Sequence, residues 1–200
     1  MKKEAAALCS MIVLSLWGLP TQVAADGPYS SAVRLEAQGG GVIARHHHDY
    51  GERNHAVIWE EFDRRTDQFD PKNRFSRIRI TKVGGENLYE GPCPPLNFLW
   101  VSPTGDYIVG LSEIRHSNPY QIVVFSRRGD LLVARDVDCH RDGIVGCTET
   151  VSKFVFWYES KKPLISVHPH GDWMVLVVDT PDEGYPFMLT FPDVMKTKKR

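Results

Sequence analysis

One short pattern occurs twice in this chain. Residues 99–109 carry Leu99, Val101, Pro103, Gly105, Asp106, Tyr107 and Val109, and residues 165–175 carry Ile165, Val167, Pro169, Gly171, Asp172, Trp173 and Val175, each 66 positions later. Apolar residues at every second position share one face of a strand. Proline then presets the backbone angle of a turn, and glycine supplies the positive φ that lets a second alternating run return beside the first. Both segments therefore read as strand, tight turn and strand, and a chain that repeats such hairpins is committed to antiparallel sheet.

The remaining residues agree. Short runs rich in Val, Ile and aromatics begin at Val42 and recur at 56–62, 78–83, 98–102, 107–112, 121–125, 131–135, 151–158, 164–167, 173–179 and 186–191. Gly, Pro, Asn and Asp separate them. Helical periodicity is confined to 60–69, a turn or two that Asp70 and Pro71 end. Residues 98–135 make a four-stranded meander of about forty residues, the size of one propeller blade.

The hairpin units, with Ser102, Pro103 and Gly105 in one copy and Pro169 and Gly171 in the other, resemble the repeats of TolB-type β-propellers. In that family the turn is Ser-Pro-Asp-Gly; here Thr104 and His170 stand in place of its aspartate. The resemblance covers about a third of the chain and implies blade-like sheets that present loops to partners. The 66-residue offset is too long for consecutive blades, and residues 137–160 interrupt the period. The expectation is one all-β domain over 42–195, built of antiparallel meander sheets that are propeller-like, closed or incomplete, with a β-sandwich as the alternative.

The N-terminus carries an address. Lys2 and Lys3 precede a 12-residue apolar stretch, 8–19, followed by Pro20 and the small residues Ala24 and Ala25. This is the pattern of a secretory signal peptide over 1–25, and the stretch is shorter than the roughly 20 residues a membrane span needs. Residues 26–41, small and polar and ending in Gly39, Gly40 and Gly41, read as a flexible lead-in; 196–200 reads as a basic tail. Cleavage after Ala25 leaves 22 basic and 24 acidic residues, from 24 and 25 in the whole chain, a net charge of −2. That balance offers nothing to nucleic acid, and no later segment is a membrane span. A periplasmic or secreted location follows. There, the close pair Cys139 and Cys147 is the natural disulfide, and Cys93 is left as an odd thiol, buried or available for exchange.

Two clusters have metal-ligand character. Asp138, His140, Asp142, Gly143, Ile144 and Glu149 fall at positions 1, 3, 5, 6, 7 and 12 of a helix-loop-helix calcium loop. His140 places nitrogen where hard oxygen is wanted, however, and a strand follows where the exiting helix belongs. The other reading is a solvated loop held by its disulfide. His46 and His48 would share a strand face with His47 opposite, a spacing that suits zinc or copper if His55, His168 or His170 supplied a third ligand.

The arginines near 64–79 alternate with Ile78 and Ile80 as in a half-buried strand. Trp59, Trp100, Trp157 and Trp173 read as sheet packing or as a recognition surface. No nucleophile elbow, metalloprotease helix, phosphate loop or dinucleotide fingerprint is present in the sequence. These features lead to the expectation of an exported, non-enzymatic binding or scaffolding module of the bacterial envelope with a protein partner. The alternative is a metal-binding protein, either calcium-stabilised or a small metalloenzyme using the histidines.

Overall fold

The computed structural model describes residues 33–48, 67–71, 73–115, 118–149, 154–159, 163–181 and 185–193. Apart from a single turn of 3-10 helix at Asp67–Phe69, its regular structure is all β. Sheet one contains β1 (Val33–Gly39), β2 (Val42–His48), β3 (Ser76–Lys82) and β4 (Asn87–Pro92). Sheet two contains β5 (Phe98–Val101), β6 (Tyr107–Leu111), β7 (Ile122–Ser126) and β8 (Leu131–Arg135). A short ribbon of β9 (Thr148–Glu149) and β10 (Val155–Phe156) precedes sheet three, made of β11 (Ile165–His170), β12 (Trp173–Val178) and β13 (Phe187–Pro192). The three sheets are antiparallel meanders in chain order, and among the described residues none closes on itself. No helix among them is long and apolar enough to cross a membrane.

The flexible lead-in needs correction. Residues 33–39 are β1, paired with β2 along its whole length from Val33 against His48 to Gly39 against Val42. Their alternation is real but muted: Val33, Leu35 and Ala37 are half-buried, while Arg34, Glu36 and Gln38 are exposed. Two of the three glycines, Gly39 and Gly40, make a contact that side chains would prevent. Gly40 and Gly41, at φ 52° and 75°, close the tight β1–β2 turn. A Cβ on Gly39 would lie 2.4 Å from the Ser102 carbonyl oxygen, and one on Gly40 2.0 Å from the Thr104 carbonyl carbon. The backbone of this turn thus rests on the turn of the first repeated hairpin. The signal peptide at 1–25, residues 26–32, the strand expected at 56–62 and the tail at 196–200 lie outside the described residues.

Sheet two is the middle layer. Leu99, Val101, Ile108, Val123 and Phe125 pack from one of its faces against Val42, Ala44, Ile78 and Ile80 of sheet one. From its other face, Tyr107, Val109, Leu111, Ile122 and Val124 pack with Met174, Leu176, Val178, Phe187 and Phe191 of sheet three. Burial on both sides explains why β6 and β7 are buried at every position instead of alternating.

Both repeated segments fold as hairpins, in different registers. Val101 pairs with Ile108, whereas its counterpart Val167 pairs with Leu176. In the first, the Tyr107 amide donates to Ser102 Oγ at 3.1 Å and the turn closes over residues 103–106. In the second, His168 replaces that serine, and the strands run on to a two-residue turn at Gly171 and Asp172 between His170 and Trp173. The shift is two residues, so equivalent side chains keep equivalent faces.

Trp157 and Tyr158 fall in the run 151–158 that the sequence marks as a strand, where neighbours would point to opposite sides and at most one would serve the core of a two-layer fold; the structure differs. They fall just beyond β10, where the chain turns, and both are buried with ring centroids 4.9 Å apart, edge to face. The Trp157 indole N–H donates to the Ser112 carbonyl at 2.9 Å. Cys139 and Cys147 form the expected disulfide, and Cys93 is a buried free thiol.

Candidate functional site

Alternation along β2 sends His46 and His48 inward and His47 outward, so the two histidines do share a face, and it is the packed one. They are 2% and 3% exposed. The Leu96 backbone N–H donates to His46 Nε2 at 3.2 Å. Since an amide can only donate, that nitrogen carries a lone pair and the ring proton sits on Nδ1. His48 Nδ1, 3.1 Å from the same Nε2, is then also a donor. Burial, followed by the charges His48 and His47 would carry, holds the His46 pKa well below the usual histidine range. The pair ties sheet one to the chain entering β5. His168 and His170 lie on sheet three, beyond sheet two, and His55 lies outside the described residues. Among those residues no three His, Cys, Asp or Glu side chains are grouped to hold a metal ion.

The disulfide loop has a different organisation from a calcium site. Asp138 Oδ1 accepts the N–H groups of Arg141 and His140 at 2.9 and 3.0 Å; the Arg141 amide above all holds its carboxyl below the usual range. Asp142, whose side chain is almost fully buried, lies between Arg135 and Arg141 and accepts the Asp138 N–H at 2.9 Å. Glu149 pairs with Arg115 through one oxygen and accepts the Cys139 N–H through the other. Three arginines and four amides thus occupy the carboxylate oxygens, in a part-exposed network pinned by the disulfide.

A third candidate among the described residues is the outward face of sheet three, where His168 Nε2 and Ser166 Oγ lie 2.8 Å apart. Pairing across β11, β12 and β13 places Ser166, Val177 and Met188 in one row, His168, Val175 and Thr190 in the next, and His170, Trp173 and Pro192 in the third. These residues alternate with the inward set that fills the core. Trp173 is 52% exposed and Met188 64%; Leu164, in phase with them just before β11, is 76% exposed. The three strands contain no Asp, Glu, Lys or Arg.

The outward face of sheet one is its opposite. There Glu36 pairs with Arg45 at 2.7 Å and Arg79 with Glu90 at 2.6 Å, flanked by Arg34 and Arg77. Of the sheet-three residues, the sequence reading weighed Trp173, His168 and His170. It missed Met188 and Leu164, whose signal was a strand with apolar residues in both phases of its alternation.

No family model matches the chain, and no curated protein matches it in sequence.

Proposed function

We propose that this chain is an exported, non-enzymatic binding or scaffolding module whose contact surface is the outward face of sheet three. One observation carries the reading: three strands without a charged residue present Trp173 and Met188 to solvent, with Leu164 exposed just before them. Trp and Met are enriched at interaction surfaces, where charged residues are depleted. The resemblance of the hairpins to TolB-type repeats, which present loops to partners, supports a binding role. So does the disulfide, which suits an oxidising compartment.

The test is a photo-crosslinking amino acid placed at Met188, and separately at Arg79 on the charged face, in cells that express and export the chain. Crosslinking to a polypeptide at position 188 and not at 79 is the expected result. No adduct at position 188 overturns the reading. Intact mass of the exported protein checks the first half of the proposal: it should match residues 26–200 less two hydrogens.

A further inference from the structure

We infer that the outward face of sheet three is where two copies of this chain meet, face to face about a two-fold axis. The inference rests on the binding-module reading and names its partner.

The repeat provides the first step. In the first hairpin the face bearing Leu99, Val101 and Ile108 packs back on sheet one; in the second the equivalent face, bearing Ile165, Val167 and Met174, packs back on sheet two. The other face of the first hairpin, with Tyr107 and Val109, is buried beneath sheet three. Its equivalent in the second hairpin, with Trp173 and Val175, has no further sheet packed on it among the described residues. The stack is thus interrupted at a face built like one that is covered elsewhere in the same molecule.

Charge selects the occupant. A head-to-tail stack would set this face on the outward face of sheet one and strip water from Arg34, Glu36, Arg45, Arg77, Arg79 and Glu90 with no new partner for any of them. Desolvating ion pairs in that way is costly. The face set on its own copy buries no charged side chain, because β11, β12 and β13 carry none. A two-fold pairing also uses the same patch twice and stops at two, whereas head-to-tail contacts propagate. Free-edge pairing through β11 is opposed by Pro169, which offers no N–H.

Size sets the strength. Three strands about 4.8 Å apart and six residues long span about 14 by 20 Å before Leu164 extends them. That is small beside the ~800 Å² per partner of a standard complex, so the pair is weak and reversible.

Sedimentation velocity of the purified, oxidised protein from about 5 to about 500 µM, concentrations that bracket a weak interface, tests this. The expected result is a monomer at the low end that shifts toward twice the mass at the high end. Met188→Glu and Trp173→Glu, each checked for folding by near-ultraviolet circular dichroism, should remain monomeric throughout, at least a tenfold loss of affinity. Arg45→Ala, on the charged face, should dimerise as the parent does.

A monomer at every concentration overturns the inference. So does dimerisation that both glutamate variants retain, or that Arg45→Ala abolishes. The mass of the adduct crosslinked at position 188 separates this failure from that of the parent reading. An adduct of twice the chain supports the dimer, one with a different polypeptide overturns the dimer while the binding module stands, and no adduct overturns both.

Discussion

The two copies of the hairpin differ in what surrounds them far more than in what they are made of. Tyr107 and Trp173 occupy the same place in the repeat, yet Tyr107 is 5% exposed and Trp173 52%. Gly105 lies against the backbone of Gly40, 2.7 Å from where its Cβ would be; a Cβ on Gly171 meets nothing within 4 Å. The alternating runs and turn residues are enough to make a hairpin in both places. Whether its second face becomes core depends on a later sheet, and sheet three covers the first hairpin while nothing in the described chain covers the second. Large aromatics therefore have opposite values at equivalent positions, stabilising the monomer in one and available to a partner in the other.

The widest separation between the copies should come from those aromatics. Tyr107 packs edge to face on Phe191 at 5.5 Å, and its hydroxyl donates to Asp193 Oδ1 at 2.9 Å, so its removal leaves both a cavity and a carboxylate short of a donor. Tyr107→Ala is expected to cost about 4 kcal/mol of unfolding free energy in urea. Trp173→Ala, although it deletes the larger side chain, is expected to cost under about 1 kcal/mol at concentrations where the protein is monomeric. Equal losses would mean that sheet three is covered in the folded monomer and the comparison is false.

The glycines sharpen the contrast with a smaller perturbation. Both have positive φ, 74° at Gly105 and 60° at Gly171, so an alanine is strained at either by about 1 kcal/mol. Only at Gly105 must the β1–β2 turn also move away. Gly105→Ala should therefore cost about 3 kcal/mol against about 1 kcal/mol for Gly171→Ala, read from denaturant midpoints at unchanged slope. The difference between them measures the turn-on-turn contact.

Much of this architecture was legible in the sequence because it is local. Period-two runs and their turn residues place most of the described strands, and the spacing of Cys139 and Cys147 identifies their bridge. What was not legible depends on distant partners. The triple glycine looked flexible because nothing within residues 26–41 says that Gly40 will meet Thr104. Trp157 and Tyr158 escaped strand parity because the chain leaves β10 just before them. The carboxylates of residues 138–149 follow a calcium spacing, but Arg115 and Arg135, outside the loop, claim two of them. In β13, Phe187, Leu189 and Phe191 alternate with Met188, Thr190 and Pro192, a strand with apolar residues in both phases; only knowing which sheet lies underneath reveals which phase is left to solvent.

Histidine offers a last and smaller discrimination between the covered and uncovered ends. His46 reaches across to the Leu96 amide, so it belongs to the contact that buries the first hairpin, whereas His168 and His170 stand exposed on the second. In the unfolded chain His46 takes up a proton near pH 6.5; in the folded protein it does so only well below that. Between those values the unfolded state binds more protons, so stability rises with pH. The contribution is complete above about pH 6.5 and is lost as pH falls from there through the folded-state pKa, with a slope of at most about 1.4 kcal/mol per pH unit. Asp138, also held low, acts in the same direction but only below its own unfolded value near 3.8, clear of this window. Urea unfolding between about pH 7 and about pH 5 should show the slope in the parent, retain it in His168→Gln and His170→Gln, and lose it in His46→Gln, whose amide oxygen still accepts from Leu96 but takes no proton. A parent whose stability is flat across that range would mean that His46 is not sealed between sheets one and two, and the covered hairpin would then be less covered than its glycines imply.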